Sequence, residues 1–500
     1  MREPHSSKPK AISTRQNQMK DRNMYSTTFR TRVASVLASC FATALGLLAI
    51  TSVALASGVG QLSPHGGKGS CIAVKQRGCL KGRALFGTEQ IAISPDGRNL
   101  YAASYVGNSV VVLNRDPRSG VLSQRAGKAG CVREHGEAAR SRCTPGRAIE
   151  DPTAVVVSPD GKNVYVVAHD SSAIAIFDRD PQTGGLTQKE GTAGCVSSEP
   201  SEDGCGKTES ILGPLTLGIS PDGRSVYVGS SGASIEGHKV GTSASGRSIS
   251  IFDRDAGTGA LTQRLGRAGC VSGAGNGGEC EFVDGLGSVL SLAISPDGRN
   301  LYVANRGPDS VVVFDREPLT GSLTRAPGRA GCFSSDGTDR ACTKTPDLGF
   351  PSSLTLSPDG RNLYVGAQAS AAIAVFDRDG STGALTRKRG RVGCVSAKPG
   401  CTPGRQLRRA NSVAVSPDGR NLYATGYGGS SLDVFDRNGS SGALRQKPGA
   451  AGCFGRGLPS ACRDVPSLDD LGSVVVSPDG RNVYVASING NISILDRSRR

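Results

Sequence analysis

The sequence predicts an all-β fold, a seven-bladed β-propeller with four antiparallel strands per blade, and three observations carry that prediction. The string Ser-Pro-Asp-Gly recurs seven times, at Ser94, Ser158, Ser220, Ser295, Ser357, Ser416 and Ser477, with intervals of 59 to 75 residues. Repetition at such a period decides architecture before any local argument does. Each copy sits within the same series of short apolar runs, four to a unit, and four strands repeated radially make a propeller. The composition agrees: 69 Gly, 4% aromatics and no Trp in 500 residues suit short strands and many turns rather than a large helical core. It excludes a coiled coil, a polytopic membrane protein and a disordered chain.

Residues 1–56 come first and read as an export signal. Arg30 and Arg32 precede an uncharged apolar run from Val33 to Ala56, which closes on Ala54-Leu55-Ala56 ahead of Ser57. A start at Met24 gives a leader of more ordinary length. The run is long enough to span a bilayer, so a retained anchor is the alternative. Leu37-Ala38-Ser39-Cys40 has the form of a lipoprotein box, but too few apolar residues precede it. The signal carries +6 of the net +16, leaving the rest of the chain moderately basic. No later segment is apolar enough to span a membrane. The expected location is therefore secreted or at the cell surface.

Residues 57–500 form the predicted propeller. In each unit a first strand such as AVVV or LAI runs into SPDG, where Pro presets the turn and Gly takes the positive φ. A second strand (NVYVVA), a third (AIAIFDRD) and a fourth (TGALTQ) follow. The order at the two ends predicts closure. Gly60 to Ser63 matches a fourth strand, and Ile492 to Asp496 matches a third. The last blade then takes its outer strand from the N-terminal segment, which protects an open edge. Seven Tyr (Tyr101 to Tyr484) share one position in the second strand, and Phe177, Phe252, Phe314, Phe376 and Phe435 share one in the third. Period-2 register assigns both sets to packing between blades.

Between each fourth strand and the next first strand lies a loop with two cysteines. Setting Cys40 aside, fourteen Cys form pairs within repeats: Cys71 with Cys79, Cys131 with Cys143, Cys195 with Cys205, Cys270 with Cys280, Cys332 with Cys342, Cys394 with Cys401, and Cys453 with Cys462. Repetition makes seven within-repeat disulfides the economical reading, consistent with an oxidising exterior. The alternative, metal binding, needs four ligands per ion, and no His recurs beside the pairs. Intervals near 60 residues exceed the roughly 40–45 of a simple four-stranded blade. The bridged loops supply the surplus and decorate one face, together with the loops between second and third strands.

SPDG-[RK]-x-[LV]-Y, followed by VxVFDRD and TGxLT, resembles the YVTN-type and lactonase-like seven-bladed propellers over essentially all of residues 57–500. The resemblance implies a propeller fold. It also implies relatives that act on lactones through His, Glu and Arg around a central cavity. Beyond the signal the chain has only His65, His135, His169 and His238, none on an expected first strand. No catalytic residue is assigned on these grounds, and no turnover of simple lactones is expected.

Three candidate sites remain. His169 and Asp170, after the second strand of blade two, and Glu236 and His238, in the corresponding loop of blade three, are a donor set suited to Zn²⁺ or acid–base work. The recurring Asp-Arg-Asp before Thr-Gly has calcium-type residues without EF-hand spacing. Asx-turns with an Arg–Asp pair inside the hairpin explain it better. Arg387, Lys388, Arg389, Arg391, Lys398, Arg405, Arg408 and Arg409 form a basic loop between blades five and six without an acidic residue, a candidate polyanion site. The sequence therefore suggests an exported, monomeric, cofactor-free binding or interaction module for an extracellular ligand or protein. Lactone hydrolysis with atypical residues is the alternative, and a purely structural surface protein a third reading.

Overall fold

The structure, a computed structural model, describes residues 58–136, 142–198, 204–232, 247–337, 342–427 and 430–499. The predicted export signal, Glu236 and His238 lie outside the described residues. Seven sheets form the predicted propeller. Blade one shows the plan: a first strand Thr88–Ile93 on the inside, then Asn99–Ser104 and Ser109–Arg115, all antiparallel.

The fourth strand is more elaborate than the repeat suggested. It comes in two pieces, Leu122–Gln124 and Cys131–Glu134, which pair with opposite halves of the third strand. A single 3-10 turn separates them. The G-x-x-G string makes that turn, and its second glycine is needed for close approach. A Cβ on Gly269 would lie 2.0 Å from the Arg264 carbonyl oxygen. A further short strand, Thr144–Gly146, then runs parallel to the second piece.

The cysteines join these two outermost segments, and all seven predicted bridges are present. Cys71 is bonded to Cys79, Cys131 to Cys143, Cys195 to Cys205 and Cys270 to Cys280. Cys332 is bonded to Cys342, Cys394 to Cys401 and Cys453 to Cys462. None of these sulfurs is left to ligate a metal, so the pairs staple the rim of each blade. We predict that the folded protein, alkylated without reduction, shows no modified cysteine among these fourteen by mass spectrometry. Several labelled sites would contradict the bridged structure.

Closure follows the predicted plan. Leu62–Pro64 pairs with the last third strand, Leu62 opposite Arg497 and Pro64 opposite Leu495, and Cys71–Ala73 pairs with its other half. The apolar core consists of layers between neighbouring blades. Each blade turns its Phe, replaced by Leu113 in blade one and Leu495 in blade seven, toward the preceding blade and its Tyr toward the following one, so Tyr165 of blade two packs with Phe252 of blade three. All seven tyrosines are fully buried.

Their hydroxyls do more than pack. Phe177 and Arg179, two residues apart, share a face of the third strand, so the arginine reaches into the preceding blade. Arg179 Nε donates to the Tyr101 hydroxyl at 2.9 Å, and Nη1 to the Gly161 carbonyl at 2.9 Å. Its Nη2 donates to Asp96 Oδ2 and Asn99 Oδ1, each at 2.6 Å. The Tyr101 hydroxyl donates onward to the Gly184 carbonyl at 2.9 Å. Equivalent arginines recur in all seven blades, from Arg115 to Arg497, each holding the SPDG carboxylate of its neighbour. The Arg–Asp pair expected inside the hairpin thus spans two blades instead. The second Asp of Asp-Arg-Asp does form the expected Asx-turn: Asp180 Oδ1 accepts the Gln182 and Thr183 amides at 2.8 and 3.1 Å.

Candidate functional site

Each first strand begins with a β-bulge, and its side chains are largely spent on stitching blades together. Ser473 Oγ accepts the Ile91 amide at 3.0 Å, Gln90 Oε1 the Val155 amide at 2.6 Å, and Ser353 Oγ the Val413 amide at 3.1 Å. The channel wall therefore resembles a seam more than a reaction chamber. Chemistry-bearing groups gather instead at its mouth on the decorated face.

Two loops from each blade meet there in register. The residue after the second strand donates its amide to the last carbonyl of the bridged loop. His169 donates to Asp151 at 2.9 Å, and Tyr105 to Gly87, Gln368 to Phe350 and Tyr427 to Arg409 at 2.9 to 3.1 Å. This register brings Asp151 beneath His169. His169 Nδ1 lies 3.0 Å from Asp170 Oδ1 and 3.8 Å from Asp151 Oδ2. One donor atom from each of the three residues lies within 4.8 Å of the others. The Asp151 backbone takes a φ of +53° and is fixed by its amide, which donates to Asn108 Oδ1 at 2.9 Å.

The electrostatics follow from this crowding. Burial and the Asp170 charge raise the Asp151 carboxyl above the ordinary range, against the opposing pull of His169. The hydrogen bond to Asp170 raises the His169 imidazole, as do the charges of Asp151, Asp170 and Glu89, against partial burial. With Nδ1–H donated to Asp170, Nε2 is the free acceptor of the ring. Gly213 leaves room for it: a Cβ there would come within 2.8 Å of Nε2. A histidine oriented by a carboxylate is a general-base arrangement. The same nitrogen and oxygen donors are also chemically suited to a divalent cation.

His169 and Asp170, neighbours in sequence, are hydrogen-bonded at 3.0 Å, while the expected approach of Glu236 and His238 falls outside the described residues. Asp151 and Glu89 are not singled out by the sequence. Asp151 belongs to the loop entering blade two, eighteen residues before His169 in sequence, and only the shared register of loop end and strand end reveals the contact. The sequence discounts catalysis because no His lies on a first strand. His169 reaches the mouth from a loop, which removes that objection.

The basic loop between blades five and six does not present eight available charges. Arg387 forms a two-pronged pair with Asp347, Nη2 at 2.7 and Nε at 3.1 Å from Oδ1. Lys388 pairs with Asp377 at 2.5 Å. Arg405 clasps the next outer strand through the Lys447 and Gly449 carbonyls at 2.9 and 3.0 Å. Exposed remain Arg389 just before the 3-10 turn and Arg391 on it, Lys398 in the bridged loop, and Arg408 and Arg409 at the loop's inner end.

Relatives agree with the architecture. The family described as Lactonase, 7-bladed beta-propeller matches residues 80–198 and 289–402. A 6-phosphogluconolactonase of Formosa agariphila is 34% identical over 99 residues, which span 19% of this chain and only 24% of that relative. Among solved structures, the periplasmic gluconolactonase of Pseudomonas aeruginosa superposes with a TM-score of 0.52 at 21% identity, over 80% of this chain and 92% of that one. That likeness speaks to the fold. Together these findings favour the lactonase-like alternative over the binding-module reading.

Proposed function

We propose that this chain, a lactonase-like seven-bladed propeller, hydrolyses a small lactone at the decorated mouth of its channel, with His169 as general base. The observation that carries the proposal is the His169–Asp170–Asp151 cluster on a propeller of this kind. Lactone opening needs a base to draw a proton from water as it attacks the ring carbonyl, and the same group, now protonated, returns that proton to the ring oxygen as the carbonyl carbon–ring oxygen bond breaks. His169 Nε2 has the required free lone pair, and Asp170 holds the tautomer and favours the imidazolium that forms. The half-buried Asp151 carboxyl beneath the ring adds to that stabilisation. Seven disulfides and the apolar leader support work in an oxidising compartment outside the cytosol. No helix among the described residues is long and apolar enough to cross a membrane.

The test is a pH-stat assay on gluconolactone and its 6-phosphate, with and without added divalent cations. Turnover above spontaneous hydrolysis is expected, falling by about 10²–10⁴-fold in His169→Ala, the usual contribution of a general base. The rate should rise with pH through a pKa above that of an ordinary histidine, because neutral imidazole is the active form. Asp170→Asn should bring that pKa down. Absence of turnover, or turnover indifferent to His169→Ala, would refute the assignment.

A further inference from the structure

The face opposite the decorated one carries a second, independent charge pattern. The residue after every SPDG turn is basic: Arg98, Lys162, Arg224, Arg299, Arg361, Arg420 and Arg481. All seven side chains are exposed, and none takes part in a salt bridge among the described residues. The carboxylates beside them are already engaged. Asp479 accepts from Ser477, the Arg481 amide and the buried Arg115 of the next blade. The basic ring is therefore not neutralised by its own turns.

In blades one to five an acidic residue in the neighbouring hairpin offsets this ring: Asp116, Asp180, Asp255, Glu317 and Asp379. In blade six that position is Asn438, and in blade seven it is Ser498. Blades six and seven thus form the basic sector, which borders the blade-one hairpin, where Asp116 lies two residues before Arg118 and accepts its amide at 2.8 Å. At its edge, on the seam between blades seven and one, lies a cavity of about 420 Å³ lined by Arg118, Arg481 and Arg499. The wall also holds Asp496 and Arg497. Asp496 accepts from His65 Nδ1 at 2.9 Å and from Asn482 Nδ2 at 3.0 Å. The Arg497 guanidinium is committed to Tyr423, Gly480, Asp418 and Asn421. Arg118, Arg481 and Arg499 form no salt bridge among the described residues.

We propose that this seam is a binding site for a linear phosphate polyanion. One phosphate group sits among Arg118, Arg481 and Arg499, and the chain continues along the basic ring past Arg420 toward blade six. A linear chain fits better than a flat anionic surface, because the hairpin acids of blades one to five would repel a plane laid across the whole face. Counterion release from the phosphates then supplies the affinity. The proposal stands apart from the lactonase reading, whose groups lie on the other face.

The experiment titrates the folded protein with inorganic polyphosphate at several salt concentrations, with orthophosphate and phosphatidylglycerol vesicles as comparison probes. Salt-dependent binding of polyphosphate is expected. The triple variant Arg118→Gln, Arg481→Gln, Arg499→Gln should weaken it about tenfold or more and flatten the log K against log salt slope by about 2, near 0.7 per lost contact. A second triple variant on the decorated face, Arg389→Gln, Arg391→Gln, Lys398→Gln, should leave it unchanged. Melting temperatures confirm that both variants are folded. The proposal fails if polyphosphate does not bind or if the seam variant binds as well as the parent. It fails equally if the decorated-face variant loses as much, which would move the site to that loop. Vesicle binding stronger than polyphosphate binding, and dependent on the seam, would also overturn it.

Discussion

Arg115→Ala is expected to cost about 3–5 kcal/mol of stability, the range for removing one partner of a buried ion pair. Arg115 is 4% exposed and sits where blade one meets blade seven. Its Nε donates to the Tyr484 hydroxyl at 2.6 Å, Nη1 to the Gly97 carbonyl at 3.0 Å, and Nη2 to Asp479 and Asn482, each at 2.8 Å. Alanine leaves those acceptors short of a donor in a site too enclosed for water to replace the whole guanidinium. Tyr484→Phe should cost only about 1 kcal/mol, because it removes one hydroxyl from the network and leaves the ring packed. Chemical denaturation of the two variants against the parent measures both. Equal and small losses would mean that the clamps contribute geometry without stability.

The same network fixes how the protein responds to acid. Burial raises the carboxyls of Asp96, Asp160, Asp222, Asp297, Asp359, Asp418 and Asp479. The hydrogen bonds from serine, backbone amide and clamping arginine outweigh it, so each lies below its ordinary value of 3.8. A carboxyl depressed in the folded state contributes stability that is fully present above the unfolded value and lost as pH falls through the folded one. The contribution of these seven groups is constant from neutrality to about pH 4 and is lost steeply below it. Arg115→Ala should make that acid transition shallower, since Asp479 loses one of the groups that depress it.

How much of this was legible beforehand depended on whether the repeat recorded it. Blade number, strand order, closure and all seven disulfides could be read because every copy restates them. The clamp was half visible. Arg, Tyr and Asp each recurred, but their contact crosses from one repeat to the next, and the eye pairs residues within a repeat. The split outer strand was hidden in G-x-x-G, which reads as a simple turn until the cysteines on its far side are seen to resume the strand. Features unique to one blade left no periodic trace. Asp433 is fully buried in blade six, bonded to Ser431 and Gln446, and burial pushes its carboxyl well up. Its counterparts are Val111, Ala175, Ser250, Val312, Ala374 and Ser493, none of them ionisable, so nothing in the repeat foretells a carboxyl there. Asp151 belongs to the same class. It lies in a variable loop, and its proximity to His169 follows from the register of two loop ends.

Deleting residues 58–70 should destabilise the protein by about 5 kcal/mol, out of proportion to a segment this short. Leu62 is 1% exposed and packs with Tyr423, Val434 and Leu495. Losing that burial costs about 1.5–3 kcal/mol. The hydrogen bonds that tie the segment to the last third strand contribute about 1 kcal/mol each. They include the Gly60 amide to the Ser498 carbonyl at 2.7 Å and the His65 amide to the Ile494 carbonyl at 3.1 Å. Lys447 also loses the Val59 carbonyl, 2.8 Å from its Nζ. The remaining Cys71–Ala73 piece still pairs with the other half of that strand, so the ring is weakened at one edge and not unmade. The exposed half, Leu495 to Arg497, becomes an unpaired edge open to a second molecule. A lowered melting temperature should therefore be accompanied by concentration-dependent association in sedimentation experiments. Adding a peptide of residues 58–70 in trans should reverse both. An unchanged melting temperature would mean that the last blade does not need residues 58–70, and a stabilising role for the Leu62–Pro64 pairing would have to be abandoned.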